Sequence, residues 1–280
     1  MPDNPEFADH YDSVCDDLHI NLRLALKMDL PRDRETVLQL FDRVRKDFPT
    51  MSRFRRTKRE FLLETAPPVV SPDQADRPAI GKDDDGDDEG AVSQQWLGLR
   101  AADLRCGIIN PESNSAAYKL HKTILEVAPY YLSLSPLDVD YVELMYGFDL
   151  FSSGNHDAIV YDALFAHSPL GAMLDVRGSI PLDCQPLFVI SLTGDLSISA
   201  QFEIKTRLHA PMPGMPRPPR DHSEPISVFL CLRKHGGVKD INELPALLTT
   251  LSRQGEDLIA HKLIPSMIVP IRQAIASAGH

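Results

Sequence analysis

The chain has no Cys-x-x-Cys pair, and its four cysteines (Cys15, Cys106, Cys184, Cys231) stand too far apart for a zinc knuckle or a redox couple. It has no G-x-S-x-G elbow, no phosphate-binding P-loop and no G-x-G-x-x-G turn. Hydrolase, NTPase and dinucleotide-dependent chemistry therefore have no motif to stand on. Long apolar runs are missing as well. The most apolar C-terminal stretch, Leu263 to Ile271, falls far short of the roughly 20 residues that cross a bilayer. The first residues, MPDNPEFADHYDS, hold neither a basic nor an apolar region and predict no signal peptide. A cytoplasmic protein with free thiols, no membrane association and no cofactor is the resulting expectation.

What is present is ordinary in amount and uneven in placement. The 280 residues are 43% hydrophobic and 25% charged, enough for a substantial core. The formal charge of −11 comes entirely from two stretches, residues 1–16 at −5 and residues 71–92 at −6. The rest is formally neutral, so the acidic balance says nothing about the partners of the folded body.

The strongest periodic signal runs from Leu18 to Met28. Leu18, Ile20, Leu22, Leu24, Leu26 and Met28 alternate with His19, Asn21, Arg23, Ala25 and Lys27. A period of two marks a strand with one buried and one polar face. Val37, Leu38, Leu40, Phe41 and Val44 then trace an amphipathic helix stopped by Pro49. Phe54 to Thr65 predicts a strand. Residues 67–92 lack apolar periodicity and predict a mobile acidic loop. Two strands follow around WLGLR and LRCGII, then a helix from about Asn110 to Val127 ended by Pro129, then a strand from Leu137 to Phe151. The order suggests an α+β fold: a two-layer, ferredoxin-like (split βαβ) antiparallel sheet over 17–151 with helices on one face, preceded by a flexible acidic N-terminus over 1–16.

Residues 152–280 read as a smaller antiparallel β unit with a long C-terminal helix. A short helix at 154–168, a hairpin from Leu187–Leu192 to Ile198–Arg207, and a strand at Val228–Arg233 precede a capping box at Asp240 and Glu243. The helix then runs toward Ala276, with interruptions expected at Pro265 and Pro270. The proline loop Pro211–Pro219 reads as a stiff connection.

Three constellations bear on function. Asp138 and Asp140, two apart, would share a strand face and offer carboxylates to a divalent cation, as phosphoryl transfer requires, with Glu143 as a further candidate. The residues before them, Glu126-Val127-Ala128-Pro129, lack the glycine turn such a site needs, and an exposed strand end is the simpler reading. The run Asp83 to Glu89 breaks the spacing of a calcium loop and reads as a solvated linker. Residues 43–59 carry a local charge of +7, which raises weak polyanion binding or masking by the acidic loop at 71–92. Cys184 beside Asp183, with His156 or His167, is a pairing that any chain with these residue counts offers. His121 borders a helix stripe and reads as a packing residue.

The expectation is thus a non-enzymatic ligand- or partner-binding module, with a metal-dependent phosphoryl-transfer enzyme as the alternative. Its working surface would be the polar face of the first strand, His19, Asn21, Arg23 and Lys27, with Arg56 and Lys58 as neighbours. A small molecule, a protein or a second copy of the chain could occupy it.

Overall fold

The computed structural model describes residues 11–278, apart from 12, 32, 67–92, 175 and 207–223. The loop at 67–92, its masking of the basic stretch, and the proline loop at 211–219 lie outside the described residues. Among the described residues the strands form a single open antiparallel sheet of nine. They are β1 (Asp17–Leu26), β2 (Arg53–Arg56), β3 (Phe61–Glu64), β4 (Gln94–Leu99), β5 (Asp103–Ile109), β6 (Val139–Leu150), β7 (Leu187–Ser191), β8 (Ile198–Lys205) and β9 (Ile226–His235). Their spatial order is β2-β3-β4-β5-β1-β6-β9-β8-β7.

The alternating strand becomes the centre of this sheet, with four strands on either side of β1. Ile20, Leu22 and Leu24 are sealed beneath helices, whereas His19, Asn21 and Arg23 stay partly exposed on the opposite face. The same parity holds in β5, β6, β8 and β9, whose even residues (Leu104, Leu144, Ala200 and Leu230 among them) are buried, apart from Asp140, Phe202 and Lys234. Helices α1 (Arg34–Asp47), α2 (Asn114–Tyr131), α3 (His156–Leu164), α4 (Pro169–Leu174) and α5 (Leu244–Leu258) precede a wide π-turn stretch, Ile259–Ile268, and α6 (Val269–Ala278). Asp33 caps α1 by accepting from the Thr36 N–H at 2.8 Å, and Val37, Leu40, Phe41 and Val44 form its buried stripe.

The expected mixture of helix and sheet is present, and its connections differ from a ferredoxin-like arrangement in a specific way. After α1 the chain returns at the far edge, so three strands separate β1 from β2. The expected strand 54–65 is a hairpin. Thr57 accepts from the Arg59 and Glu60 N–H groups through its hydroxyl, turning the chain without glycine, asparagine or proline. The C-terminal residues do not make a separate β layer either: β9 pairs with β6 along ten residues, and the sheet simply continues. Nor is the N-terminus loose throughout 1–16, since Tyr11 and Cys15 are buried, with the Tyr11 ring 5.6 Å from that of Phe148.

Two prolines expected to break helices are absorbed. Pro129 sits in the last turn of α2, and only two helical residues follow it, to Tyr131. Pro265 lies within the π stretch, whose wider turns relieve the clash between its ring and the preceding carbonyl.

The strand order also exposes an internal repeat. β1 is followed by a helix and then a meander that returns as β5 beside β1, and α2 closes the unit. β6 is followed by helices and a meander that returns as β9 beside β6, and α5 closes it. The units meet where β1 and β6 pair antiparallel from Asp17↔Asp149 to Ala25↔Tyr141, about a local two-fold axis. β6, grouped by the sequence with the N-terminal half, therefore opens the second unit.

Candidate binding face

Because helices pack on the even-numbered side, the other side of the sheet is open among the described residues, and β1 runs down its middle. Cross-strand register sets the neighbours there. One row reads Trp96, Gly107, Asn21, Met145, Cys231, Gln201; the next reads Arg105, Arg23, Glu143, Arg233. A third places His19 between Ile109 and Gly147, with Phe229 beyond.

Arg23 and Arg105 stand directly opposite one another, an arrangement that is unfavourable unless an acid is shared. Asp103 supplies it, accepting from Arg23 Nη2 at 3.0 Å and from Arg105 Nε at 2.6 Å. On β6, Glu143 Oε2 accepts from Arg233 Nε at 2.9 Å and again from its Nη2, two charge-assisted bonds converging on one oxygen. Burial alone pulls Arg233 toward its neutral form, but the hydrogen bonds and charge of Glu143, with Tyr141, hold its pKa above the ordinary value. The Tyr141 ring lies between the two systems, 4.4 Å from the Arg233 guanidinium and 5.3 Å from that of Arg23. On the other flank His19 Nε2 lies 2.9 Å from Asp149 Oδ2, and Ser227 donates to the second oxygen of that carboxylate.

Two glycines shape the centre. A Cβ on Gly107 would sit 1.8 Å from Asn21 Oδ1, and one on Gly147 would sit 2.9 Å from the Phe229 ring. Asn21 and Phe229 therefore lie flat across the neighbouring strand, which only a missing side chain allows. The Asn21 Oδ1 and the Arg23 Nε are both shielded from solvent and have no hydrogen-bond partner among the described residues. Each such group costs about 1–3 kcal/mol while it stays unmet.

Of the six residues proposed from the sequence, His19, Asn21 and Arg23 come together on this face. Lys27 is exposed past the end of β1, and its N–H donates to the Asp138 carbonyl at 2.9 Å. Arg56 and Lys58 are remote, at the far edge: Arg56 covers the Phe61 ring at 5.1 Å, and Lys58 sits in the β2–β3 turn. Arg105, Arg233, Tyr141, Trp96 and Phe229 were not singled out. The alternation of Phe229, Cys231 and Arg233 within β9 was the available signal, but it does not reveal which strand lies alongside.

The three carboxylates of the alternative site do not converge. Asp138 belongs to a 3₁₀ turn, Pro136–Asp138, rather than to the strand, and accepts from the Ser135 N–H and Oγ at 2.7 and 2.8 Å. Those hydrogen bonds, chiefly from the Ser135 backbone, hold its pKa below the usual carboxylate value. Asp140 is exposed where the β1–β6 register slips, and Glu143 is committed to Arg233. Among the described residues no three His, Cys, Asp or Glu side chains are grouped so as to hold a metal.

Three of the thiols are held protonated: burial pushes Cys184 up to about 11 and Cys231 up to about 12, and raises Cys106 further. Four residues of the basic stretch are matched within the fold. Arg43 pairs with Asp47 at 2.6 Å, Arg45 with Asp42 at 3.5 Å, and Arg53 and Arg55 both reach Glu64. A groove of about 710 Å³ runs between α2 and α5, past Leu125, Tyr130, Ile241 and Pro245. Its charged residues, Lys122 and Glu126, face each other at 3.9 Å rather than converging on a ligand. No helix among the described residues is long and apolar enough to cross a membrane.

The fold and this face describe an α+β protein with a one-sided sheet. Comparison with protein-family models, with curated proteins and with solved structures gave no match.

Proposed function

We propose that the protein is a non-enzymatic binding module of the cytoplasm whose working surface is the open face of the sheet, centred on His19, Asn21 and Arg23 and completed by Arg105, Tyr141 and Arg233. The observation that carries this reading is the unmet pair at its centre, Asn21 Oδ1 and Arg23 Nε, on the face away from the helices. A partner that displaces the side chains shielding these atoms, donates to the first and accepts from the second would recover a cost the free protein bears. The chemistry favours a protein partner. The arginines are already paired with Asp103 and Glu143, so the face presents a neutral mosaic of ion pairs and rings rather than a basic track.

The test is quantitative affinity capture with the whole chain as bait. Arg23→Glu and Arg233→Glu should both lose the same captured proteins, while Lys122→Glu in the α2–α5 groove retains them. A capture profile unchanged by the two open-face variants would sink the proposal. A rise in melting temperature with Mn²⁺ or Mg²⁺ that vanishes in Asp138→Ala and Asp140→Ala would favour phosphoryl transfer instead.

A further inference from the structure

The two ends of the sheet are built differently. At one end, β2 is Arg-Phe-Arg-Arg, and its charges deter further strand addition. At the other end, β7 is Leu-Phe-Val-Ile-Ser, with no charge and with Leu187, Phe188, Val189 and Ile190 exposed to 52, 51, 56 and 46%. Its backbone is available too. Leu192 N–H donates to Ile198 and Ile204 N–H donates to the Pro186 carbonyl, so the even residues of this stretch face β8. By alternation Leu187, Val189 and Ser191 turn their N–H and C=O groups outward, and among the described residues no strand meets them.

The internal repeat shows what such an edge accepts. Counting outward from β1 and from β6, β7 occupies the place of β3. β3 is covered on its outer side by β2, paired antiparallel from Arg53↔Glu64 to Arg56↔Phe61, with Phe54 stacked against Phe61 at 6.3 Å between centroids. Among the described residues no strand takes the corresponding position beside β7.

We propose that β7 is a homodimerisation edge, at which two copies of the chain pair antiparallel about a two-fold axis at Val189. The strand is its own complement in this register. Val189 faces the partner's Val189, Leu187 faces the partner's Ser191, and Phe188 faces the partner's Ile190 on the helix side. No charge opposes a like charge. The outward residues are those that exchange both backbone hydrogen bonds in an antiparallel pair, giving about six across the junction. Leu182 and Leu196, both exposed, flank β7 in the chain, and antiparallel pairing brings the end bearing one toward the partner's end bearing the other. The two sheets become continuous, and their open faces lie on the same side of the assembly.

Light scattering on the full chain, from the low to the high micromolar range, should give a dimer mass that falls on dilution. Val189→Pro removes an N–H that the subunit does not use, so it should be monomeric with an unchanged near-UV spectrum. A wild-type protein that stays monomeric at high micromolar concentration overturns the proposal, and so does a Val189→Pro variant that still dimerises. Should proline disturb folding, Val189→Cys reads the same contact: under oxidation it should give a covalent dimer that Phe188→Cys does not. Failure of the Val189→Cys variant to cross-link overturns the register. Neither readout depends on His19, Asn21, Arg23 or Arg233, so loss of partner capture and loss of dimer remain distinguishable.

Discussion

Acidification should weaken this protein through a single residue. His121 of α2 is fully buried against the sheet, and neither ring nitrogen has a hydrogen-bond partner among the described residues. Burial pushes its pKa from the ordinary 6.5 down to about 3; the Ile20 backbone offsets only part of that and does not reach hydrogen-bond geometry. The folded state therefore holds His121 neutral, whereas the unfolded chain protonates it near pH 6.5. With the folded pKa depressed, stability is full above pH 6.5 and is lost as pH falls from there toward about 3. Between about pH 8 and pH 5 the loss is about 2 kcal/mol, at about 1.4 kcal/mol for each pH unit below the unfolded pKa.

His121→Leu has similar volume, cannot protonate and leaves no unmet nitrogen. It should be at least as stable as the wild type at about pH 8, because two shielded polar atoms are removed. Its advantage should widen by about 2 kcal/mol at about pH 5. Urea unfolding followed by the fluorescence of Trp96, the sole tryptophan, measures this directly. The contrast between proteins cancels the contributions of other titrating groups. Parallel pH profiles for the two proteins across that range would refute the reasoning.

Gly107→Ala places a methyl on Asn21 and should cost about 1–3 kcal/mol in urea unfolding; most of this should disappear in an Asn21→Ala background, and simple additivity of the two losses would count against the flat-lying amide. Gly255→Ala brings a Cβ to 2.6 Å from the Tyr146 ring and should destabilise by a similar amount, about 1–3 kcal/mol, measured by thermal unfolding. Tyr118→Phe deprives Tyr146 and Glu256 of a shared hydroxyl and should lower stability by about 1–2 kcal/mol without altering the secondary structure seen by circular dichroism. On a heparin column at physiological salt the protein should not be retained, because its arginines are matched internally; strong, salt-sensitive retention would contradict the neutral open face.

The strands with clean alternation were legible. Leu18 to Leu26 stated both the strand and which side would be polar, since the pattern is the burial itself. The helices announced themselves through Asp33 and Ser113 caps followed by apolar stripes. Pairing was not legible. Nothing local in Arg53 to Glu64 says that a threonine hydroxyl will turn the chain at 57–60, or that the strand after α1 will dock at the far edge instead of beside β1. The same gap hid the row of charges across the open face. Arg23, Arg105, Glu143 and Arg233 are scattered along most of the chain and become one row only through the registers of β1, β5, β6 and β9. The carboxylate pair misled for the opposite reason: Asp138 and Asp140 are close in sequence, but a 3₁₀ turn and a register slip separate their roles.

A sheet with helices on one side must manage its other side with side chains alone, and charge pairing is how this one does so. Asp103 and Glu143 hold the heads of its arginines in place. That arrangement keeps the face wet, neutral and poorly suited to non-specific collapse. It also makes the middle of β1 a place where covering has outrun pairing. Asn21 folds over Gly107 and loses its solvent, and Arg23 commits Nη2 to Asp103 while its Nε is shielded behind Tyr141 and the neighbouring strand. Relaxing either group would be simple on an exposed strand, since a rotamer change would return it to water. Here Asn21 is hemmed in by Trp96 and Gly107, and Arg23 by a buried carboxylate and a ring. The unmet groups are thus a consequence of register in the central strand, and a partner that satisfies both must reach the same two residues.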